Sequence, residues 1–442
     1  MKILLVGESS LLHNTLKKGL VELGHQVTLM SDGNDWHNSP RDIDLRRNME
    51  RYGRWSGLMV LWKIVCNLHK ICGNDIVQVH NYQFVPLMGW WNMLIFWFLK
   101  LTNKRIIKGC FADDPHLFRQ QAKGIPAYSD TFWNGKLQNI EENKERMAFH
   151  FMPQFDKCWH TVSYHSDALI ACLYEYYLCY DVSEFHKKLY YIPLPMIIPA
   201  IDENRQKGNG EVIKVLVGLQ PKREYLKGAL KIAHFVEILA KKYPGKIELK
   251  YVEGVVYDEY CRMLDEADVL VDQFYSYTPS MNSLAAMARG TVVIGGGEEE
   301  YYEFIGEPEL RPIINVSPEY SESQNVAIIE QAFFVKDNLT EFVQIIIVQS
   351  LGKTFMQGIT FGLVFQHTTV GTAELSLIES LTKTLGSFGH FFVYLVIVLS
   401  KLVLYQHIGT ITFLGIAVVN QRVIESIYVS AGFPDGGVHK DC

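Results

Sequence analysis

The sequence predicts an α/β chain of two doubly wound halves with parallel sheets, and three observations predict it. Short apolar runs at residues 3–6, 75–79, 212–219, 269–271 and 292–294 have the length of buried strands and alternate with stretches of helical periodicity. The first run passes straight into Gly7, Glu8, Ser9 and Ser10. Leu12, Leu16, Leu20 and Leu23 then recur at helical spacing up to Gly24, and residues 27–30 form the next strand. Strand, glycine turn, helix and strand in that order open a Rossmann-like half. The third observation is residues 267–302, which give strand, tight turn, helix, strand and glycine loop in succession.

Within that last stretch Thr278 is expected to cap a helix with Pro279 in its first turn, and Gly290 to end it. Backbone N–H groups and a positive dipole end would then face an anion across Thr278, Ser280, Met281 and Asn282. Gly295, Gly296 and Gly297 allow close backbone approach to a ligand. The alternative is a purely structural unit of the sort every doubly wound sheet contains.

Composition narrows the classes. With 442 residues the chain has room for two or three domains. A formal charge of -6 and a pI near 6.2 speak against nucleic acid as the main partner, which needs a basic face. The eight cysteines form no Cys-x-x-Cys pair, so neither a zinc site nor a disulfide framework is expected. No metal and no cofactor is expected. The first apolar run is cut off by Gly7 and Glu8, too short for a signal peptide, and a cytoplasmic location is expected. One glycine in the first turn falls short of the three of a dinucleotide fingerprint.

Along the chain, residues 32–55 are polar and suggest a long loop with partial helix. Residues 84–99 are strongly apolar, with Trp90, Trp91, Phe96, Trp97 and Phe98, and are followed by Lys100, Lys104, Arg105 and Lys108. They suggest either a buried helix or one touching a membrane surface with its lysines on anionic lipid. A strand at 105–108 leads to Asp113, Asp114 and His116, in a strand-end loop where ligands of open α/β sheets sit. These three are candidates for proton transfer or for holding acceptor hydroxyls, the alternative being a solvated loop. Residues 159–162 are expected as the last strand of the first half. Residues 190–195 look like the crossing into a hinge at 201–210. Beyond the next strand Lys222, Arg223 and Lys227 are placed to neutralise a diphosphate, or are a plain surface cluster.

The segment SYTPSMNSLAAMARGTVVIGGGEEE resembles the donor-binding segment of GT-B glycosyltransferases, in particular retaining, nucleotide-sugar-dependent family 4. That family shows two spaced glutamates, the second followed by Ala-Met-Ala-x-Gly. Here Ala286, Met287, Ala288, Arg289 and Gly290 match, while Tyr277 and Ala285 stand where the acids would fall. Lys227 with Gly228 matches the family's Lys-Gly pair, with Arg223 as its basic partner and Lys222 as the alternative. The resemblance implies a donor site of Arg223, Lys227, Tyr277, Thr278, Ser280, Met281, Asn282, Glu298 and Glu299, with Glu300 a third candidate for the sugar-binding acid. It further implies a cleft lined by Gly7, Glu8, Ser9 and His80. The expected fold is thus GT-B: an acceptor-side domain at 1–200 and a donor domain at 201–324, facing a cleft. The expected activity is transfer of a sugar to a hydroxyl on a glycan or lipid-linked acceptor, in surface glycan or glycolipid synthesis, at the inner face of a membrane. An epimerase or phosphorylase on the same fold, or a degenerate sugar-binding protein, are the alternatives.

Residues 325–442 break the pattern. They hold 14 of the 90 charged residues, so charge density falls to roughly half that of the preceding chain. A membrane hairpin, a buried helical extension and a reading frame disturbed near residue 325 are the three explanations of this apolar tail.

Overall fold

The computed structural model describes residues 1–33, 38–196, 212–219, 224–307 and 311–334. The N-terminal half holds β1 (Lys2–Val6), β2 (Gln26–Ser31), β3 (Ile43–Asp44), β4 (Ile76–Val79), β5 (Arg105–Cys110), β6 (Phe132–Trp133), β7 (Lys136–Leu137), β8 (Ala168–Ala171) and β9 (Leu189–Tyr191). Apart from the antiparallel β6–β7 hairpin they form one parallel sheet in the order β3-β2-β1-β4-β5-β8-β9. β1 is central because Ile3, Leu4, Leu5 and Val6 are buried on both faces, as a parallel strand covered by helices on either side must be.

The second half holds β10 (Ile213–Leu219), β11 (Ile247–Glu253), β12 (Val269–Val271), β13 (Val292–Gly295) and β14 (Ile313–Asn315), parallel in the order β11-β10-β12-β13-β14. Both orders are those of Rossmann-like sheets, and two such domains in succession give the GT-B architecture. The core of the second domain gathers Val217, Ile232, Val236, Leu270 and Ile294, and helix Glu322–Phe334 adds Ile329 and Phe333 to it. That helix runs through position 325, where the composition changes. Residues 335–442, which carry most of the apolar tail, lie outside the described residues.

One expected strand differs. Residues 159–162 belong to helix Pro153–His165, not to a strand. Phe155, Cys158, Trp159 and Val162 are its buried face at helical spacing, Pro153 sits in its first turn, and the strand is the later β8. The described part of residues 32–55 is a loop with a short helix, as expected: Asn48 caps Met49–Tyr52, and the loop adds the two-residue β3 at the sheet edge.

The apolar stretch 84–99 forms helix Gly89–Thr102, whose Met93, Ile95, Phe96, Trp97 and Leu99 are buried. Buried Asn92 accepts the N–H groups of Phe84 and Val85 and donates to the carbonyls of Val85 and Leu87, so it shapes the turn before the helix. None of the described helices is long and apolar enough to cross a membrane. The cations that follow are tied to the domain itself: Lys100 to Asp167, Lys104 to Asp75, and fully buried Lys108 to Asp114.

Candidate functional site

In open α/β sheets ligands sit beyond the carboxyl ends of strands, where the strand order reverses. In the first domain that point lies between β1 and β4, and the residues leaving those strands are Gly7 and His80. Gly7 has φ 84°, and a Cβ there would lie 1.9 Å from His80 Nδ1, so only glycine fits. His80 Nδ1 is buried and bonds to no described residue. Burial, then neighbouring His13, pulls the His80 imidazole down to about 4, so the ring is neutral at neutral pH. His13 donates from Nδ1 to the Gly7 carbonyl at 2.7 Å and accepts at Nε2 from Gln78 at 3.2 Å.

Glu8, also in this turn, is buried. Its carboxylate accepts the N–H groups of Ser9, His13 and Asn14 and the Asn14 side-chain amide. Burial raises its pKa and these hydrogen bonds offset part of the rise. An acid of the chain itself therefore occupies the positive end of helix Leu12–Glu22. Glu8 thus serves the helix start.

The second domain repeats the device. Asp272, directly after β12 and between β10 and β13 in space, accepts the Ser280 hydroxyl at 2.6 Å, the Asn282 amide at 3.4 Å and the Ser283 hydroxyl. Ser280, not Thr278, caps helix Met281–Met287, accepting the N–H groups of Asn282 and Ser283. The expected anion cradle is therefore brought to the strand end, but its donors are engaged by Asp272 and by the cap. Gly296 is required for packing: a Cβ there would lie 1.6 Å from the Ser276 carbonyl oxygen.

Thr278 turns instead to the first domain. Its hydroxyl donates to Glu175 and accepts the Tyr174 N–H at 3.0 Å, and Ser276 also donates to Glu175 at 3.1 Å. Burial raises the Glu175 pKa, with the Thr278 hydroxyl the largest opposing contribution. Met281 and Leu284 pack on the apolar core of the first domain that includes Ile3, Leu5 and Phe111. Tyr128, from the loop before β6, stacks on Tyr277 with centroids 4.4 Å apart and donates its hydroxyl to Glu298 at 2.5 Å. Glu298 also accepts from Asn315 at 3.1 Å. Glu299 pairs with Arg311 at the surface, while Glu300 has its carboxyl raised by partial burial and then by the nearby Glu298, Glu319 and Glu303.

The Lys-Gly pair reaches the same place. Phe274 donates its N–H to the Lys227 carbonyl at 2.8 Å. Gly228, at φ 68°, would bring a Cβ to 3.0 Å from Phe274 and Tyr275. Lys227 thus stands beside the loop that leaves β12. Lys222 and Arg223 lie outside the described residues.

The acidic loop of the first domain is built into that domain. Asp113 is held by Arg146 through two hydrogen bonds, 2.6 and 2.7 Å, and Arg146 also binds Asp130. Asp114 is fully buried, caps helix Pro115–Gln121, and shares its carboxylate with Lys108 and Tyr180. His116 stacks on Trp159 with centroids 5.2 Å apart and bonds the Cys179 carbonyl at 2.9 Å. These engagements give Asp114 and His116 structural work within the domain. Among the described residues no group of three or more His, Cys, Asp or Glu side chains is arranged to hold a metal.

Sequence reasoning missed Asp272, Glu175 and Tyr128. Asp272 was findable as the acid immediately after a buried strand. Glu175 and Tyr128 act across domains, and no local pattern announces such contacts.

No protein-family model matches the chain, and no curated protein matches it. Solved structures similar to it include sucrose-phosphate synthase from Thermosynechococcus elongatus, at 17% identity and TM-score 0.46, covering 81% of this chain and 99% of that one. WaaG, a glycosyltransferase involved in lipopolysaccharide biosynthesis, is similar at 11% identity and TM-score 0.46, covering 83% and 100%. A putative UDP-N-acetylglucosamine 2-epimerase from Listeria monocytogenes is similar at 9% identity and TM-score 0.45, covering 83% and 96%. Such likenesses concern the fold alone, and the architecture rests on the two sheet orders.

Proposed function

We propose that the chain is a glycosyltransferase moving a sugar from a nucleotide-sugar donor to a hydroxyl of a glycan or lipid-linked acceptor, in surface glycan or glycolipid synthesis. The observation that carries this reading is the seating of Lys227 and Gly228 on Phe274 at the mouth of β12. Two stretches that separately resemble the donor-site pattern are adjacent there. As the acceptor oxygen bonds to the anomeric carbon, the bond to the diphosphate breaks, negative charge grows on the leaving group, and the departing phosphate oxygen takes the hydroxyl proton. Lys227, with Arg223 as its proposed partner, would stabilise that charge. Because Glu8 and Asp272 already fill the two helix ends, cationic side chains must supply most of this stabilisation. Glu298 is the proposed contact to the donor sugar, and the neutral, largely buried His80 the proposed cleft group that takes a substrate hydroxyl. Retention of configuration follows from the family resemblance.

A second reading, a degenerate sugar-binding protein, is favoured by one feature: Tyr277 and Ala285 stand where the family's acids fall, and Tyr277 is covered by Tyr128. Calorimetric titration of the full chain with UDP, GDP and ADP, repeated on Lys227→Ala, tests the donor site. Loss of about tenfold or more in affinity is expected for one charge-assisted contact. A folded chain that binds none of the three overturns the donor reading. A chain that binds one of them but neither transfers nor hydrolyses the matching sugar supports the degenerate reading.

A further inference from the structure

Helix Ser56–Cys66 buries only a narrow stripe, Ser56, Val60 and Ile64, against the first domain. Its opposite face is the more apolar one. Trp55, Leu58, Trp62 and Val65 recur at i, i+3, i+7 and i+10 and are 66%, 52%, 62% and 48% exposed. A helix that only completes a domain core shows polar residues outward; two tryptophans more than half exposed on one outward line need a partner. The patch also continues beyond the helix. A Cβ on Gly57 would lie 3.4 Å from Leu87, and the next turn presents exposed Met88 and Trp90, Trp90 being stacked on Trp91.

Charge identifies the partner. The chain as a whole carries -6, yet residues 41–70 hold seven Lys and Arg against three Asp and Glu, a local net of +4. Arg51 just before the helix and Lys70 just after it are both exposed. A second protein surface would be apolar without needing the cations, whereas an anionic bilayer meets both features. Indole rings settle among headgroups, leucine and valine reach the acyl boundary, and cations pair with lipid phosphate.

We propose that this face docks the chain onto an anionic lipid surface, the helix lying in the plane of the interface with Trp55 and Trp62 inserted. The lysines after helix Gly89–Thr102 are not the lipid contacts, since Lys100, Lys104 and Lys108 are paired within the domain. The docking does not depend on what the cleft binds, and its test reads membrane binding alone.

The experiment is flotation of the full chain with vesicles of phosphatidylcholine alone and of phosphatidylcholine with phosphatidylglycerol, at about physiological salt. The chain should float with the anionic vesicles and not with the neutral ones, and tryptophan emission should shift to the blue. Trp55→Ser/Trp62→Ser should weaken flotation by about tenfold or more, since two interfacial anchors are lost. Arg51→Glu/Lys70→Glu, which keeps the apolar stripe, should weaken it and reduce its salt sensitivity. No flotation of the natural chain overturns the proposal. So does undiminished flotation of both variants, which would place lipid binding in another segment such as residues 335–442. A dimer that the tryptophan variant converts to monomer, with lipid binding unchanged, would overturn it in favour of a second copy.

Discussion

The Tyr128 hydroxyl donates to Glu298 Oε1 at 2.5 Å, and this hydrogen bond joins the two domains. Its acceptor is the acid proposed to bind the donor sugar, and its donor ring covers Tyr277. The first domain thus contacts the glycine loop through a group that a ligand bound there would have to share. Tyr128→Phe keeps the stack and removes only the bond to the carboxylate. A hydrogen bond to a charged group is worth about 1.5–3 kcal/mol, so chemical denaturation should show a loss of that order. Limited proteolysis should cut the glycine loop around Gly296 faster. An unchanged midpoint would mean that water replaces the hydroxyl at no cost.

Acid should destabilise the fold through His13. Burial pulls the His13 pKa from 6.5 in the unfolded chain down to about 4. Between those values the unfolded chain holds a proton that the folded chain has shed. Its contribution is therefore fully present above pH 6.5 and is lost as the pH falls towards 4, by up to about 3 kcal/mol. His80 is shifted in the same direction and adds to the slope. His13→Asn, which can still donate to the Gly7 carbonyl, should flatten the dependence of unfolding free energy on pH across that window. Parallel wild-type and variant curves would show that His13 titrates normally in the fold.

The strands and the order of the two halves were legible because parallel strands buried on both faces leave unbroken apolar runs, as at Leu4, Leu5 and Val6 or Val269, Leu270 and Val271. The runs at 269–271 and 292–294 fall where the sequence puts them. The site was less legible because partners of polar groups come from distant segments. Thr278 has every local qualification of a helix cap, yet Glu175, more than a hundred positions earlier, takes its hydroxyl and leaves the cap to Ser280. Asp113 and Asp114 look alike in sequence, but Arg146 binds one and Lys108 and Tyr180 the other. Lys108 itself looks like a surface cation until the sheet encloses it.

The pair formed by Lys108 and Asp114 gives a test of structural against chemical work. Both side chains are excluded from solvent, and their charged ends are 3.3 Å apart. Asp114→Asn leaves the lysine charge uncompensated in the interior, which costs about 3–5 kcal/mol. Adding Lys108→Met should recover much of that loss, because the buried charge is then gone. Thermal melts of the single and double variants decide the matter. A stable Asp114→Asn protein lacking activity would mark Asp114 as a catalytic residue.

Ala285 is buried at the middle of helix Met281–Met287, where the resembled family places the acid that holds the donor ribose. Ala285→Glu should therefore raise affinity for a ribonucleoside diphosphate by about tenfold, the worth of one hydrogen bond to a charged group. It should leave affinity for the 2′,3′-dideoxy analogue unchanged, since that ligand offers no ribose hydroxyl to the new carboxylate. Calorimetry with the two ligands separates this contact from a general change in the helix. A stability loss of a few kcal/mol is expected in the absence of ligand, because the carboxylate enters a buried position without a cation to meet it. Equal gains for both ligands would show that the helix had shifted. No gain for either would show that the ribose does not lie over this helix, and would move the chain towards the non-catalytic reading.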